Sequence, residues 1–594
     1  MDGTILPTLP ELKLHVAKED VDATAIVSQW LVGLQACLDG GSLNKLGKLF
    51  NQDSWWRDIL ALDWDFTTKQ GQDKIGSYLD AKKVTITDLK LCESGGLKPA
   101  LVEWAGQAWV QSAFTFCTQH GQCRGYVRLE NDAASQWKAW TVFTELEELH
   151  YQQDLEAQRR LSRAAQTTPQ TNGTHSSEDI DVLIVGAGQA GVSLGARLKH
   201  MGIRARLVER HPAVGDAWRA RYDSVTLNTP TFTDHYPFMK YPESWPEWLT
   251  GKQVADFLEH YAQLMGLDIL LGATVRSVKR IGDKYSVVVD DGGAHGEQTF
   301  SPGHVVLATG VYGDTPITPQ FAGQDTFAGT MYHSSERASA SLIPDLSEKS
   351  VVVIGCSTSG HDVCQDFVDH GARQVTMVQR HAIFALSTNA WKTLQLGLWN
   401  MPGLSTEEAD LVGNSLPVAV VRAMSIDLTR AMAALDDAPL LDGLRRAGMA
   451  LRTGEDGYGL ADHQLIKGGC YYIDQGAGAM IADGRIRVRR CEAGVARLTE
   501  TAVVLADGTS IEADVVVLAT GFEKNVENVR RVMGDDVADK MVGFGDLDAE
   551  QERVGWWRPT GVDGFWYMTG SFMWCRQFSR ALALQIAGQV KGYY

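Results

Sequence analysis

The sequence predicts an α/β protein, with two doubly wound, Rossmann-type parallel-sheet units preceded by a smaller α+β unit. Three observations carry this prediction. Short continuous apolar runs recur at 181–185, 304–307, 351–354, 375–378 and 514–518, with helical segments between them. Strands covered on both faces read this way, because alternation is lost when neither face meets water. Two of the runs, 181–185 and 351–354, lead directly into glycine-containing turns that open helices. Last, a polar stretch rich in Thr, Ser and Gln at 164–179 separates these runs from a region of different style, as a linker does.

Ahead of that stretch, apolar residues fall at helical spacing over 25–38 and again over 55–66, which predicts two helices. Strand-like runs follow at 108–117, 126–129 and 137–143. Helices followed by a curved antiparallel sheet describe an α+β unit. The charged segment 146–163 is compatible with a helix leading into the linker, and 391–449 is mostly helical in period and would line a substrate side. These breaks divide the chain into 1–150, a linker 151–179, a first sheet unit 180–315, a second unit 316–516 with a helical insertion, and a return to the first over 517–594.

Bulk composition narrows the function. The chain has 594 residues, 44% of them apolar, and a formal net charge of -18. A surface this acidic repels phosphate backbones and anionic lipid, so nucleic acid and membranes are not expected partners. No apolar run approaches the roughly 20 residues that span a bilayer. The chain does not open on a basic segment followed by an apolar one, so a cytoplasmic location is expected. Nine cysteines without a C-x-x-C pair read as reduced thiols, and no metal site is expected. The oligomeric state is not legible.

The first turn is Gly186-Ala187-Gly188-Gln189-Ala190-Gly191, between a buried strand and a helix, with a second strand at 205–208 ending on Glu209. That is the full dinucleotide fingerprint. Gly186 permits the tight turn, Gly188 lets the backbone approach a pyrophosphate, and Gly191 lets helix and strand pack closely. Phosphate charge is stabilised at the helix N-terminus. Glu209 would accept hydrogen bonds from ribose hydroxyls and repel a 2′-phosphate, so this half favours FAD or NAD. The second turn, Gly355-Cys356-Ser357-Thr358-Ser359-Gly360, carries Ser357 where the middle glycine would stand. Its following strand ends on Arg380, the residue type that accommodates a 2′-phosphate. It reads as an NADP site; the plainer reading of Arg380 is a solvated strand-end charge. Two matching segments, Leu307-Ala308-Thr309-Gly310 and Leu518-Ala519-Thr520-Gly521-Phe522, close apolar strands. Their small residues suit either close approach to a cofactor or a crossover between units.

Further motifs make the resemblance specific. The segment Phe327-Ala328-Gly329-Thr330-Met331-Tyr332-His333 resembles the F-x-G-x-x-x-H motif of the flavin-containing monooxygenase family in its soluble microbial form. Also matching are 214–218, Tyr222-Asp223-Ser224, Leu227-Asn228-Thr229-Pro230, 235–246 and 519–522, so the resemblance covers 179 to the end. Where the family carries Tyr or Phe four residues past the His, or Trp in its Baeyer–Villiger relatives, this chain has Arg337. The N-terminal unit resembles the SnoaL-like cone fold fused to some fungal-type members, through Trp56-Arg57-Asp58, Trp64-Asp65 and 137–141. Asp58, Asp63 and Asp65 are candidates for an acid–base pair there, and are read instead as surface carboxylates beside core tryptophans.

The resemblance implies an FAD- and NADPH-dependent monooxygenase. It would deliver one oxygen atom of O2 to nitrogen, sulfur or a related centre of a small molecule, as in specialised metabolism. Because the cofactor carries the hard chemistry, little protein acid–base machinery is needed. Asn228 is the candidate beside the flavin, where a neutral amide can hydrogen-bond without losing a proton; the alternative is an Asn holding the turn before Pro230. Trp218 would pack near the flavin or in the core. His333 and Ser334 would bind cofactor at the junction of the two nucleotide units, and the amphipathic stretch 572–587 would dock back on the first unit with its N-terminus toward the flavin. The alternatives are a Baeyer–Villiger monooxygenase acting on a ketone, an FAD/NADPH disulfide reductase (disfavoured by the missing C-x-x-C), and a binding module that keeps FAD as a structural ligand.

Overall fold

A computed structural model describes residues 5–39, 43–82, 85–165, 180–222, 224–293, 296–336, 339–435 and 437–594. Most of the stretch read as a linker, together with Asp223 and Arg337, lies outside the described residues.

Two five-stranded parallel sheets form the centre. The first runs in the order Asp268–Leu270, Ala205–Val208, Val182–Val185, His304–Leu307, Phe565–Tyr567. The second runs Thr330–His333, Val515–Leu518, Ser350–Ile354, Gln374–Gln379, Ile486–Arg490. Their valines and leucines are almost wholly buried, which is why both sheets appear in the sequence as unbroken apolar runs. Each sheet receives a three-stranded antiparallel meander before one of its strands. In the first this is Thr274–Ile281, Lys284–Asp290 and Glu297–Phe300, and in the second Val495–Leu498, Ala502–Leu505 and Ser510–Glu512. The chain therefore builds one architecture twice. The strand Val515–Leu518 lies wholly in the second sheet, so the chain crosses back after 518.

The N-terminal unit is a seven-stranded sheet with two long helices, Ala23–Asp39 and Gln72–Lys82. The helical expectation over 55–66 is corrected here. Phe50–Ile59 is a strand, paired with Phe66–Gln70 on one side and Trp137–Leu149 on the other. Residues 54–59 are buried without interruption. Trp56 packs in the core of this unit, while Arg57 of the opposite face reaches Glu552 near the C-terminus. With both faces covered, the period of two vanishes and the spacing mimics a helix. Asp58 is also corrected: it is fully buried, not a surface carboxylate.

The C-terminal helix, Phe572–Val590, docks on the helix Gln189–His200, as the sequence led one to expect. It is buried on nearly every side, not amphipathic. The N-terminal sheet covers its remaining face, with Phe66 against Phe578 and Trp64 stacked on Tyr594 at 4.2 Å. No single described helix is long and apolar enough to cross a membrane.

Candidate active site

Gly186 sits at φ 107°, and a Cβ there would lie 2.6 Å from the carbonyl oxygen of Ala308. A Cβ on Gly191 would meet the Gly186 carbonyl oxygen at 1.9 Å, so this glycine sets the strand–helix spacing. Gly188 differs: a Cβ there meets no atom within 4 Å. It caps the helix Gln189–His200 without a side-chain hydrogen bond. The free helix N-terminus thus opens onto empty space, a cleft of about 340 Å³ lined by Gly186, Gly188, Gln189 and Glu209. That geometry fits a dinucleotide pyrophosphate. Glu209 accepts from the backbone amides of Ala187 at 2.8 Å and His211 at 2.9 Å, which stiffens the loop. A carboxylate has about four lone-pair directions, so acceptor capacity is left for a ribose.

The second turn repeats the design. Gly355 sits at φ 128° with Ala519 against it, and a Cβ on Gly360 would lie 2.3 Å from the Gly355 carbonyl oxygen. Ser357 has a use its position did not reveal. Its hydroxyl donates to the Tyr471 carbonyl and accepts from the Cys470 amide, both at 3.2 Å, tying the turn to the strand Tyr471–Asp474. Ser359 is exposed in the first turn of the helix Thr358–Asp369. Arg380 is exposed beyond the strand end and forms no ion pair among the described residues. An unpaired guanidinium beside a helix N-terminus fits a 2′-phosphate.

The two glycine-closed strand ends play different parts. Ala308, Thr309 and Gly310 line the cleft. The Thr309 hydroxyl accepts from Asn528 at 3.1 Å, and Tyr567 donates to the Gly310 carbonyl at 2.9 Å. Thr520 instead donates to the Ile317 carbonyl at 2.6 Å, and the Ile317 amide to Gly521 at 2.9 Å, fastening the antiparallel crossing between the units. His333 lies beside this crossing, edge-on to Phe522 at 5.3 Å, with Nδ1 on the Ser335 hydroxyl at 2.8 Å. Burial pushes its pKa down. Neither His333 nor Ser334 lines the cleft or the chamber described next.

A second cavity of about 560 Å³ adjoins the cleft and shares Gln189, Val311 and Gly570 with it. Trp218 and Asn228 line it. Asn228 makes no side-chain hydrogen bond to the described residues, and its amide is available to a ligand. Trp218 packs 6.0 Å from Phe572 at the start of the C-terminal helix. Aromatic side chains form part of the wall, with Trp391, Trp399, Trp557 and Trp574 among them. Two π-helical turns, Trp391–Gln395 and His463–Lys467, supply part of it; such turns recur at functional sites.

Several lining residues escaped the sequence reading. Asp234 is fully buried and accepts from the Thr229 and Thr233 hydroxyls, and burial pushes its pKa up to about 6. Arg57 and Phe66 come from the N-terminal unit. Glu552 and Arg553 come from a loop near the C-terminus. No motif joins these residues, and their separation in sequence hid them.

The pyridine nucleotide-disulphide oxidoreductase family model matches residues 183–400. Indole-3-pyruvate monooxygenase YUCCA4 of Oryza sativa subsp. japonica is 30% identical over 388 residues, 62% of this chain and 81% of the relative. Indole-3-pyruvate monooxygenase YUCCA6 of Arabidopsis thaliana is 29% identical over 347 residues, 58% of this chain and 76% of the relative. Among solved structures, a flavin-containing monooxygenase from Stenotrophomonas maltophilia aligns with a TM-score of 0.46 at 18% identity, over 70% of this chain and 99% of that one. With 30% identity spanning 81% of the rice relative, this chain belongs to the flavin-containing monooxygenase family and is a flavin-dependent monooxygenase that uses FAD and NADPH.

Proposed function

We propose that the aromatic chamber is where one oxygen atom of O2 passes to a nitrogen, sulfur or carbonyl carbon of a small substrate. One observation carries this reading: Gln189, Val311 and Gly570 belong at once to the chamber and to the cleft that fits FAD. The chemistry supplied by FAD and NADPH together is reduction of O2 with delivery of one oxygen atom.

The chain's own residues bind, orient and keep water out. Residues 180–315 and 519–594 would hold FAD through Gly186, Gly188, Gln189, Gly191 and Glu209. Residues 316–518 would hold NADPH through Gly355, Ser357, Ser359, Gly360 and Arg380. Asn228 offers an amide donor and acceptor to the reacting centre, and Trp218 packs beside it. Asp234 is a positioning residue, since it fixes Thr229 next to Asn228. His333 packs edge-on against Phe522 beside the crossing between the units, with Ser334 next to it in sequence. The apolar walls exclude bulk water, which strengthens each hydrogen bond inside. The N-terminal unit is read as a SnoaL-like cone fold with a structural or substrate-shaping role.

The test follows NADPH consumption, peroxide release and product in the FAD-loaded enzyme, using a panel of aromatic amines, sulfides and ketones. Asn228→Ala is expected to keep NADPH consumption and to divert it from product to peroxide. Unchanged coupling in that variant would overturn the assignment of Asn228. Failure of every panel member to accelerate or divert NADPH consumption would count against the chamber.

A further inference from the structure

We propose that Arg553 is an anion-binding residue of the chamber, which takes the carboxylate of an aromatic substrate. The inference rests on reading the chamber as the oxygenation site.

Arg553 lines the chamber and is 7% exposed. Its Nη1 donates to the Gly545 carbonyl at 2.6 Å, and its guanidinium lies 4.8 Å from the centre of the Trp556 ring. Those are neutral partners. No carboxylate oxygen lies within 4.0 Å of it among the described residues, a distance at which three other buried arginines, Arg57, Arg422 and Arg576, each have a partner; the buried Arg128 likewise has none and rests on hydroxyls, a carbonyl and the Tyr126 ring. Asp546 and Glu552 attract Arg553, but only from beyond that distance. Both oxygens of neighbouring Glu552 accept from Arg57, and one also accepts from the Thr68 hydroxyl. Asp546 lies 3.7 Å from Lys524 and is half-exposed. Burial lowers the Arg553 pKa to about 10, which leaves it charged at neutral pH.

A buried guanidinium without a counter-ion is costly. Here the cost comes with a strained support. Gln551 and Trp557, on either side of Arg553, adopt φ of 64° and 63°. L-residues other than Asn and Asp rarely adopt this conformation, and it persists where the surroundings over-determine it. The strained loop places Arg553 at the wall of a cavity that combines indole and phenyl rings with polar residues, Asp234 and Glu552 among them. A guanidinium presents parallel N–H donors that match a carboxylate bidentately. The aromatic wall receives a flat apolar body, and the arginine supplies the missing counter-charge for its anionic end.

The probes are phenylacetate and phenylacetamide, which have similar shape and differ in charge. Their binding to the FAD-loaded enzyme is measured by calorimetry, and the flavin absorbance change on binding reports whether the probe enters the chamber. The unmodified enzyme is expected to prefer the carboxylate by about tenfold or more, the scale of one charge-assisted hydrogen bond. Arg553→Met is expected to abolish the preference, and Arg553→Lys to retain part of it. A merely structural arginine would alter both probes alike. Equal binding of the two probes to the unmodified enzyme would overturn the proposal, as would a preference that survives in Arg553→Met. A raised KM for NADPH in Arg553→Met with carboxylate preference intact would place the arginine on a cofactor phosphate, and would also overturn it. Carboxylate preference without any flavin response would leave the anion site standing and count against the chamber as the site of oxygenation.

Discussion

Arg57 and Glu552, 495 residues apart in sequence, meet in two parallel hydrogen bonds, Nε to Oε1 at 2.7 Å and Nη2 to Oε2 at 2.8 Å. The pair is almost fully buried, and the remaining Nη1 donates to the Asn414 carbonyl at 2.6 Å. It joins the N-terminal sheet to the chamber wall. Removing one partner leaves a buried charge unpaired, so Glu552→Gln is expected to destabilise by about 3–5 kcal/mol. The double variant Arg57→Met, Glu552→Met is expected to recover part of that loss. Denaturant titration of the two variants against the unmodified chain checks this. Equal losses for single and double variants would show that the pair contributes packing alone.

The glycines of the first turn separate folding from cofactor binding. Gly188→Ala adds a Cβ that meets no protein atom within 4 Å, at an extended backbone that alanine adopts freely. It is expected to fold with unchanged cofactor-free stability and to purify with less bound FAD. Gly191→Ala drives a Cβ onto a carbonyl oxygen at 1.9 Å and is expected to lose about 1–3 kcal/mol of stability as well as FAD. Flavin absorbance per chain and thermal melting of cofactor-free protein distinguish the two.

Arg380 is expected to read the 2′-phosphate. Arg380→Ala should raise KM for NADPH about tenfold to hundredfold, the equivalent of ~1.5–3 kcal/mol for a charged hydrogen bond, and leave KM for NADH unchanged. A parallel rise for both nucleotides in steady-state kinetics would show that Arg380 supports the fold of the turn and not its specificity.

Asp58 gives the N-terminal unit a pH signature. The carboxylate accepts from Thr144 at 2.5 Å, from the Leu62 amide at 3.0 Å and from Tyr78 at 3.3 Å, yet complete burial outweighs these and pushes its pKa up to about 7. With the folded value above the unfolded one, the native state holds the proton more tightly. This contribution to stability is full below about pH 4 and is lost as pH rises through about 7. Asp58→Asn cannot titrate. Its stability deficit against the unmodified chain is therefore expected to shrink between about pH 5 and about pH 8. Melting both proteins across that range checks the sign; a constant gap would mean that Asp58 stays in one protonation state.

Much of the geometry of the two glycine turns was legible because it is local. Gly186 and Gly355 adopt φ beyond 100°, where L side chains are strained, so the residue type itself declares the turn. Glu209 and Arg380 follow directly on the strands Ala205–Val208 and Gln374–Gln379, because a strand advances by a fixed rise per residue. Ser357 shows where this stops. Its position in the turn was clear, but its hydrogen bonds to Cys470 and Tyr471 depend on a strand more than a hundred residues away.

The sequence by itself determined the paired parallel sheets, both glycine turns and the N-terminal end of the docking helix, since each follows from backbone requirements within a few residues. The tertiary structure alone decided the chamber. Phe66, Asp234 and Arg553 become neighbours of one cavity only when three separate segments dock, and no local pattern encodes that. It also decided the strand Phe50–Ile59, whose two buried faces erase the alternation that reveals a strand. Hydrophobic patterning records how many faces of an element are covered. It does not record which element covers them, and in this protein that is what shapes the chamber.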